Sequence, residues 1–160
     1  MAAQIFLEYE DFPCIINYYP GGKRRNYMIK GFAHLCFIVS DLKKSVHFYC
    51  EGLGFRRGFD FVDDKGKVYG VYLHIGGRSF IELFTGSIKE PLEGKSYKHF
   101  CLEVDNLEET VKELTAKQIE FTPIKLGKDN SYQSWIKDPD GNQIELHEYT
   151  AESKQAKVLK

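Results

Sequence analysis

Apolar and other side chains alternate over residues 31–39. Leu35, Phe37 and Val39 fall on one face of an extended chain, and His34, Cys36 and Ile38 on the other. The period then changes to that of a helix, with a stripe of Leu42, Val46 and Tyr49 and with Leu53 after the turn. Ser40 or Asp41 stands at its N-cap, and Gly52 and Gly54 end it. Strands are expected at 55–62, 68–75 and 78–84, joined by turns at Asp63-Asp64-Lys65-Gly66 and Gly76-Gly77. The same plan then recurs. Residues 98–104 set Phe100, Leu102 and Val104 opposite His99, Cys101 and Glu103. Asp105 or Asn106 caps a helix carrying Leu107, Val111 and Leu114. Strands are expected at 119–125, 132–137 and 143–149, the last two turned by Asp138-Pro139-Asp140-Gly141-Asn142.

The recurrence is a duplication. A shift of 65 positions carries His34 onto His99, Cys36 onto Cys101, Val39 onto Val104 and Leu42 onto Leu107. A shift of 63 carries Ile81-Glu82-Leu83 onto Ile144-Glu145-Leu146, so the intervening hairpins differ slightly in length. The predicted fold is α+β, two tandem βαβββ modules curved around a cavity. A single domain covers residues 29–150, with the first module at 29–86 and the second at 97–150. Residues 1–28 are an extension outside the repeat, and residues 151–160 a polar, lysine-rich tail, frayed or disordered. Two readings of the extension stay open. It is an added arm or edge strand, or translation starts at Met28, since Gly-Gly-Lys-Arg-Arg just upstream is what an in-frame purine-rich ribosome-binding sequence encodes.

Glu82 and Glu145 each sit between apolar neighbours in a strand, where a carboxylate is costly unless paired, hydrogen-bonded or bound to a cation. Each module supplies one such glutamate and one histidine on the face opposite its helix. Brought around a shared cavity, His34, Glu82, His99 and Glu145 form one expected metal site. Imidazole nitrogen and carboxylate oxygen suit nickel, cobalt, zinc, manganese or ferrous iron. Four protein ligands leave open positions on an octahedral ion, which can polarise a carbonyl or diol oxygen. A glutamate in that site can take a proton from the adjacent carbon, the chemistry of an enediolate.

Composition narrows the classes. The 160 residues are 42% hydrophobic and 14% aromatic, enough for one compact core. A net charge of −1 and the lack of a basic stripe argue against nucleic acid and anionic membranes as partners. No apolar run approaches a membrane span, and the first residues lack a secretory layout. The four cysteines have no CxxC spacing, so a cytoplasmic, reducing location is expected.

The run from His34 through Asp41-Leu42 and Ser45 to Phe48-Tyr49, followed by Gly52-Leu53-Gly54-Phe55, resembles the opening of vicinal oxygen chelate proteins. Ile81-Glu82-Leu83, His99 with Val104-Asp105, and Asp138-Pro-Asp-Gly-Asn142-Gln-Ile-Glu145-Leu146 extend the resemblance over about residues 29–149. The ligand order His, Glu, His, Glu is most similar to bacterial glyoxalase I. The resemblance implies a metal-dependent lyase or isomerase of the lactoylglutathione lyase kind. His34, Glu82, His99 and Glu145 would be its ligands, Glu145 and Glu82 its catalytic carboxylates with Glu145 favoured as base, and a homodimer its state. One position departs: where glyoxalase I usually carries an arginine for a glutathione carboxylate, this chain has Ile38, with Arg56, Arg57 or Arg78 as substitutes. Two alternatives remain: an iron extradiol-type dioxygenase, and a module that binds or sequesters a small molecule without turnover.

Further side chains are candidates to contact a small-molecule substrate. Tyr72 and His74 alternate against Val71, Leu73 and Ile75; Glu103 shares the face of His99; His147 shares that of Glu145. Cys36 and Cys101 are expected to face the cavity as filling, Trp135 to belong to the core, and His47 to be packing or surface.

Overall fold

The computed structural model describes residues 31–88 and 96–155. The expectations for residues 1–28 and for the lysine-rich end of the tail lie outside the described residues. The first module runs β1 (His34–Val39), α1 (Leu42–His47), a π-helical turn (Phe48–Gly52), β2 (Arg56–Val62), β3 (Val68–Gly76) and β4 (Ser79–Thr85). The second runs β5 (Phe100–Glu103), α2 (Leu107–Ala116), β6 (Lys125–Leu126), β7 (Tyr132–Lys137) and β8 (Gln143–Glu148). The sheets have matching orders, β1-β4-β3-β2 and β5-β8-β7-β6, with the first pair of each parallel and the rest antiparallel. The predicted pair of βαβββ modules is therefore present.

The alternation read from the chain decides the faces. Phe37, Val39, Val71, Leu73, Ile81 and Leu83 turn inward from the first sheet, and Phe100, Ile136, Ile144 and Leu146 from the second. They form one shared cluster, in which the Phe37 and Phe100 rings lie 5.5 Å apart. Each helix begins on a side-chain cap. Asp41 accepts from the Lys44 amide at 3.0 Å, and Asn106 from the Glu109 amide at 2.9 Å.

The Asp138–Asn142 turn ties the modules together. The Asp138 carboxylate accepts from the amides of Asp140 and Asn142 at 3.0 and 2.8 Å and from the Asn142 side chain at 2.8 Å. It also accepts from the Tyr49 hydroxyl of the first module at 2.8 Å, in a buried contact. Gly141, at φ +86°, takes a backbone conformation that a side chain would strain. Lys117 crosses in the other direction, its ammonium donating to the Gly52 carbonyl at 2.9 Å.

Two expectations are corrected. The strand expected at 119–125 is only the two residues of β6, plus one isolated bridge between Phe121 and Ile136. Pro123 has no amide to donate, and Thr122 meets β7 partly through its side chain, Oγ1 accepting from the Trp135 amide at 3.0 Å. The start of the tail is not frayed: Ser153 is fully buried and takes a hydrogen bond from the Ser131 hydroxyl at 2.8 Å, and the Lys154 amide N–H donates to the Asp129 carbonyl at 2.9 Å.

Candidate functional site

Cross-strand register lays out the open face of the first module in three rows. His34, Phe80, His74 and Arg56 form the first; Cys36, Glu82, Tyr72 and Phe59 the second; Ile38, Phe84, Gly70 and Phe61 the third. Residues directly opposite across a ladder share a face. The corresponding face of the second module carries Cys101, Glu145 and Trp135 in one row and Glu103, His147, Gln133 and Lys125 in the next. Tyr72, His74, Glu103 and His147 thus all lie on the open faces, as their alternation predicts.

Within each face the histidine meets its glutamate. His34 Nε2 lies 3.4 Å from Glu82 Oε2, and His99 Nε2 lies 3.1 Å from Glu145 Oε2. Two ligand atoms bound side by side at about 2.1 Å from one ion would stand about 3.0 Å apart, so each pair fits half of a metal site. The His34 ring is further held at Nδ1 by the Tyr72 hydroxyl at 3.2 Å, the kind of outer contact that fixes a ligating imidazole. The two halves do not meet within one chain. The inner faces share the core, each open face is turned away from it, and no three of the four side chains bring ligand atoms within 4.8 Å of one another. The sheets are not closed into a single cavity around all four.

The second half-site is the more elaborate. His147 is buried, with Nδ1 hydrogen-bonded to Glu145 Oε1 at 3.2 Å; its Nε2 lies 3.4 Å from Asp129 Oδ2, within ion-pair reach but without hydrogen-bond geometry. Cys101, Glu145 and His147 form the one group of three possible ligands found among the described residues. Sequence reasoning took no thiolate into the ligand set. Burial and the neighbouring Glu145 carboxylate push the Cys101 thiol up to about 12, and burial with Glu82 raises Cys36 in the same way. Trp135 is not core as expected: it is half-buried on the Glu145 row, its ring edge-on to His99 at 4.7 Å. Its register opposite Glu145, at the position matching Tyr72 in the repeat, was the signal that could have placed it. Arg57 is paired to Asp60 at 2.7 Å, His47 is exposed on α1, and Ile38 is half-exposed beside Phe84.

The family model described as the glyoxalase/bleomycin resistance protein/dioxygenase superfamily matches residues 31–146. The chain belongs to this superfamily. One relative is the uncharacterized protein YwkD of Bacillus subtilis strain 168, 30% identical over 128 residues, or 76% of this chain and 98% of its own length. The crystal structure of a lactoylglutathione lyase from Agrobacterium tumefaciens superposes with a TM-score of 0.58 at 20% identity, covering 76% of this chain and 96% of that one. That of TnmS3, an antibiotic binding protein from a Streptomyces species, superposes with a TM-score of 0.63 at 22% identity, covering 78% and 99%. At those identities the two structures share the superfamily fold with this chain. No helix among the described residues is long and apolar enough to cross a membrane.

Proposed function

We propose that the protein is a divalent-metal-dependent lyase or isomerase of the glyoxalase I type, acting on a small carbonyl compound. The observation that carries this reading is the repeated His–Glu pair, at 3.4 and 3.1 Å, in equivalent positions of both modules. Two pairs that do not meet in one chain support a site shared between two copies, with His34 and Glu82 from one and His99 and Glu145 from the other. When bound, the ion supplies Lewis-acid polarisation of the substrate oxygens. The chain supplies the proton transfer. Glu145 is the better base, because His147 holds its second oxygen at 3.2 Å, whereas the matching position beside Glu82 is Phe84. Ile38 sets an apolar side chain where a glutathione carboxylate would need a cation, which favours a substrate recognised without that contact.

The test is elemental analysis of untagged protein purified without oxygen, beside His34→Ala and Glu145→Gln. Near-stoichiometric nickel, cobalt, zinc or manganese in the wild type, lost in both folded variants, is the expected result, followed by turnover of a hemithioacetal or related hydroxy-ketone. Iron with oxygen uptake would move the assignment to a dioxygenase. Full metal content in both variants would overturn the ligand set. A chain that takes up no metal after reconstitution would be better read as a binding module, as the antibiotic binding protein TnmS3 is.

A further inference from the structure

The two modules repeat their backbone and their His–Glu pair, but not the rest of the open face. Where the first module has Phe80 and Phe84 on β4, the second has Gln143 and His147 on β8. The second module folds without those aromatic rings, so the rings of the first are not required by the architecture. They are arranged as a continuous shelf. Tyr72 stacks on Phe59 at 4.8 Å with 19° between planes, and it meets Phe80 at 5.1 Å and the His34 ring at 5.8 Å. Phe84 lies over Gly70, where a Cβ would sit 2.4 Å from the ring, so the glycine opens the space the ring occupies. Phe59, at the outer end, is 51% exposed. The shelf begins at the proposed ligand pair and runs about three strand spacings, roughly 14 Å, to the exposed β2 strand. An exposed aromatic surface adjoining a polar anchor has the make-up of a ligand wall.

We propose that this shelf seats an aromatic ring of the substrate, so that the compound is an aryl-bearing hydroxy-carbonyl whose vicinal oxygens sit at the His34–Glu82 end. The inference rests on the metal reading above and names the substrate class for the same site. A ring laid along Tyr72, Phe80 and Phe59 would make the offset-stacked and edge contacts those side chains already make with one another. The polar face of the second module of the other copy would form the opposite wall.

The test uses two probes that share the chelating oxygens and differ in the ring: 3-phenyllactate and lactate, titrated calorimetrically into the metal-loaded full-length protein. 3-Phenyllactate is expected to bind about tenfold more tightly, or about 1.4 kcal/mol. Phe59→Ala and Phe80→Gln, the latter borrowing the residue of the second module, are expected to bring that ratio close to one while leaving lactate binding and metal content unchanged. Equal binding of the two probes to wild type with normal metal content overturns the aromatic shelf and leaves the metal site standing. Loss of metal binding in the wild type would instead strike the proposed function. If the two substitutions change the oligomeric state and not the ratio, the shelf is a contact between copies and the inference fails.

Discussion

At the scale of single residues, the most consequential side chain outside the candidate site is Asp138. Its buried carboxylate accepts four hydrogen bonds, two from backbone amides of its own turn, one from Asn142 and one from Tyr49 across the module boundary. Tyr49→Phe keeps the packing and removes the last of these, and a lost hydrogen bond to a charged group costs about 1.5–3 kcal/mol. Chemical denaturation should show that loss, with metal binding retained. Burial first, and the Asp138 carboxylate second, hold the Tyr49 hydroxyl far above its ordinary value of 10.0. A raised tyrosine pKa means that the ionised form is disfavoured in the fold. The stabilisation is therefore complete below about pH 10 and drains away as pH rises beyond it. A stability profile run to alkaline pH should fall more steeply for wild type than for Tyr49→Phe, and parallel profiles would exclude the linkage. Neither partner announced this bond. Tyr49 was legible as one position of a helical stripe and Asp138 as the start of a turn, both correctly. Their meeting across 89 positions depends on how the modules dock, which periodicity does not encode.

Secondary structure was legible wherever side chains decide it. The alternation around His34 and His99 placed β1 and β5, and the two glutamates fell on the faces expected. At both helix starts two residues competed for the cap, and Asp41 and Asn106 hold it because their side chains reach the third amide of the turn. At α2 the first turn also carries Glu108 and Glu109, and the Leu107 amide is taken by Glu148. Asn106→Ala therefore removes one partner among several, and thermal unfolding should register a loss of about 1 kcal/mol; a change near zero would show that Glu148 alone suffices. The strand expected at 119–125 was illegible for the opposite reason. Its apolar residues have strand character, but Pro123 and the Thr122 side chain replace the ladder with a local arrangement. His147 shows the same limit at the site: alternation put it on the face of Glu145, and only folding shows the Asp129 carboxylate closing behind it.

For the whole molecule, duplication was readable and assembly was not. Matching His–Glu pairs in register mark the two halves of the proposed site, but whether they meet depends on which faces of the two sheets pack. Here the faces bearing Phe37 and Phe100 share the core and the His–Glu faces look away from it. The proposed site of four ligands would then need a second chain, and a twofold pair would hold two sites, each combining the first module of one copy with the second module of the other. Complementation tests this arrangement directly. His34→Ala damages only first-module half-sites and Glu145→Gln only second-module ones, so either variant alone should lose the metal. In a mixed dimer one site receives both lesions and the other receives none. Unfolding and refolding the two variants together in equal amounts should therefore restore about one quarter of the wild-type metal, since half the dimers are mixed and each regains one of two sites. A site built within one chain would recover nothing on mixing, because every chain would carry a lesion in its own ligand set. The mixture thus separates a shared site from an internal one without knowledge of the substrate.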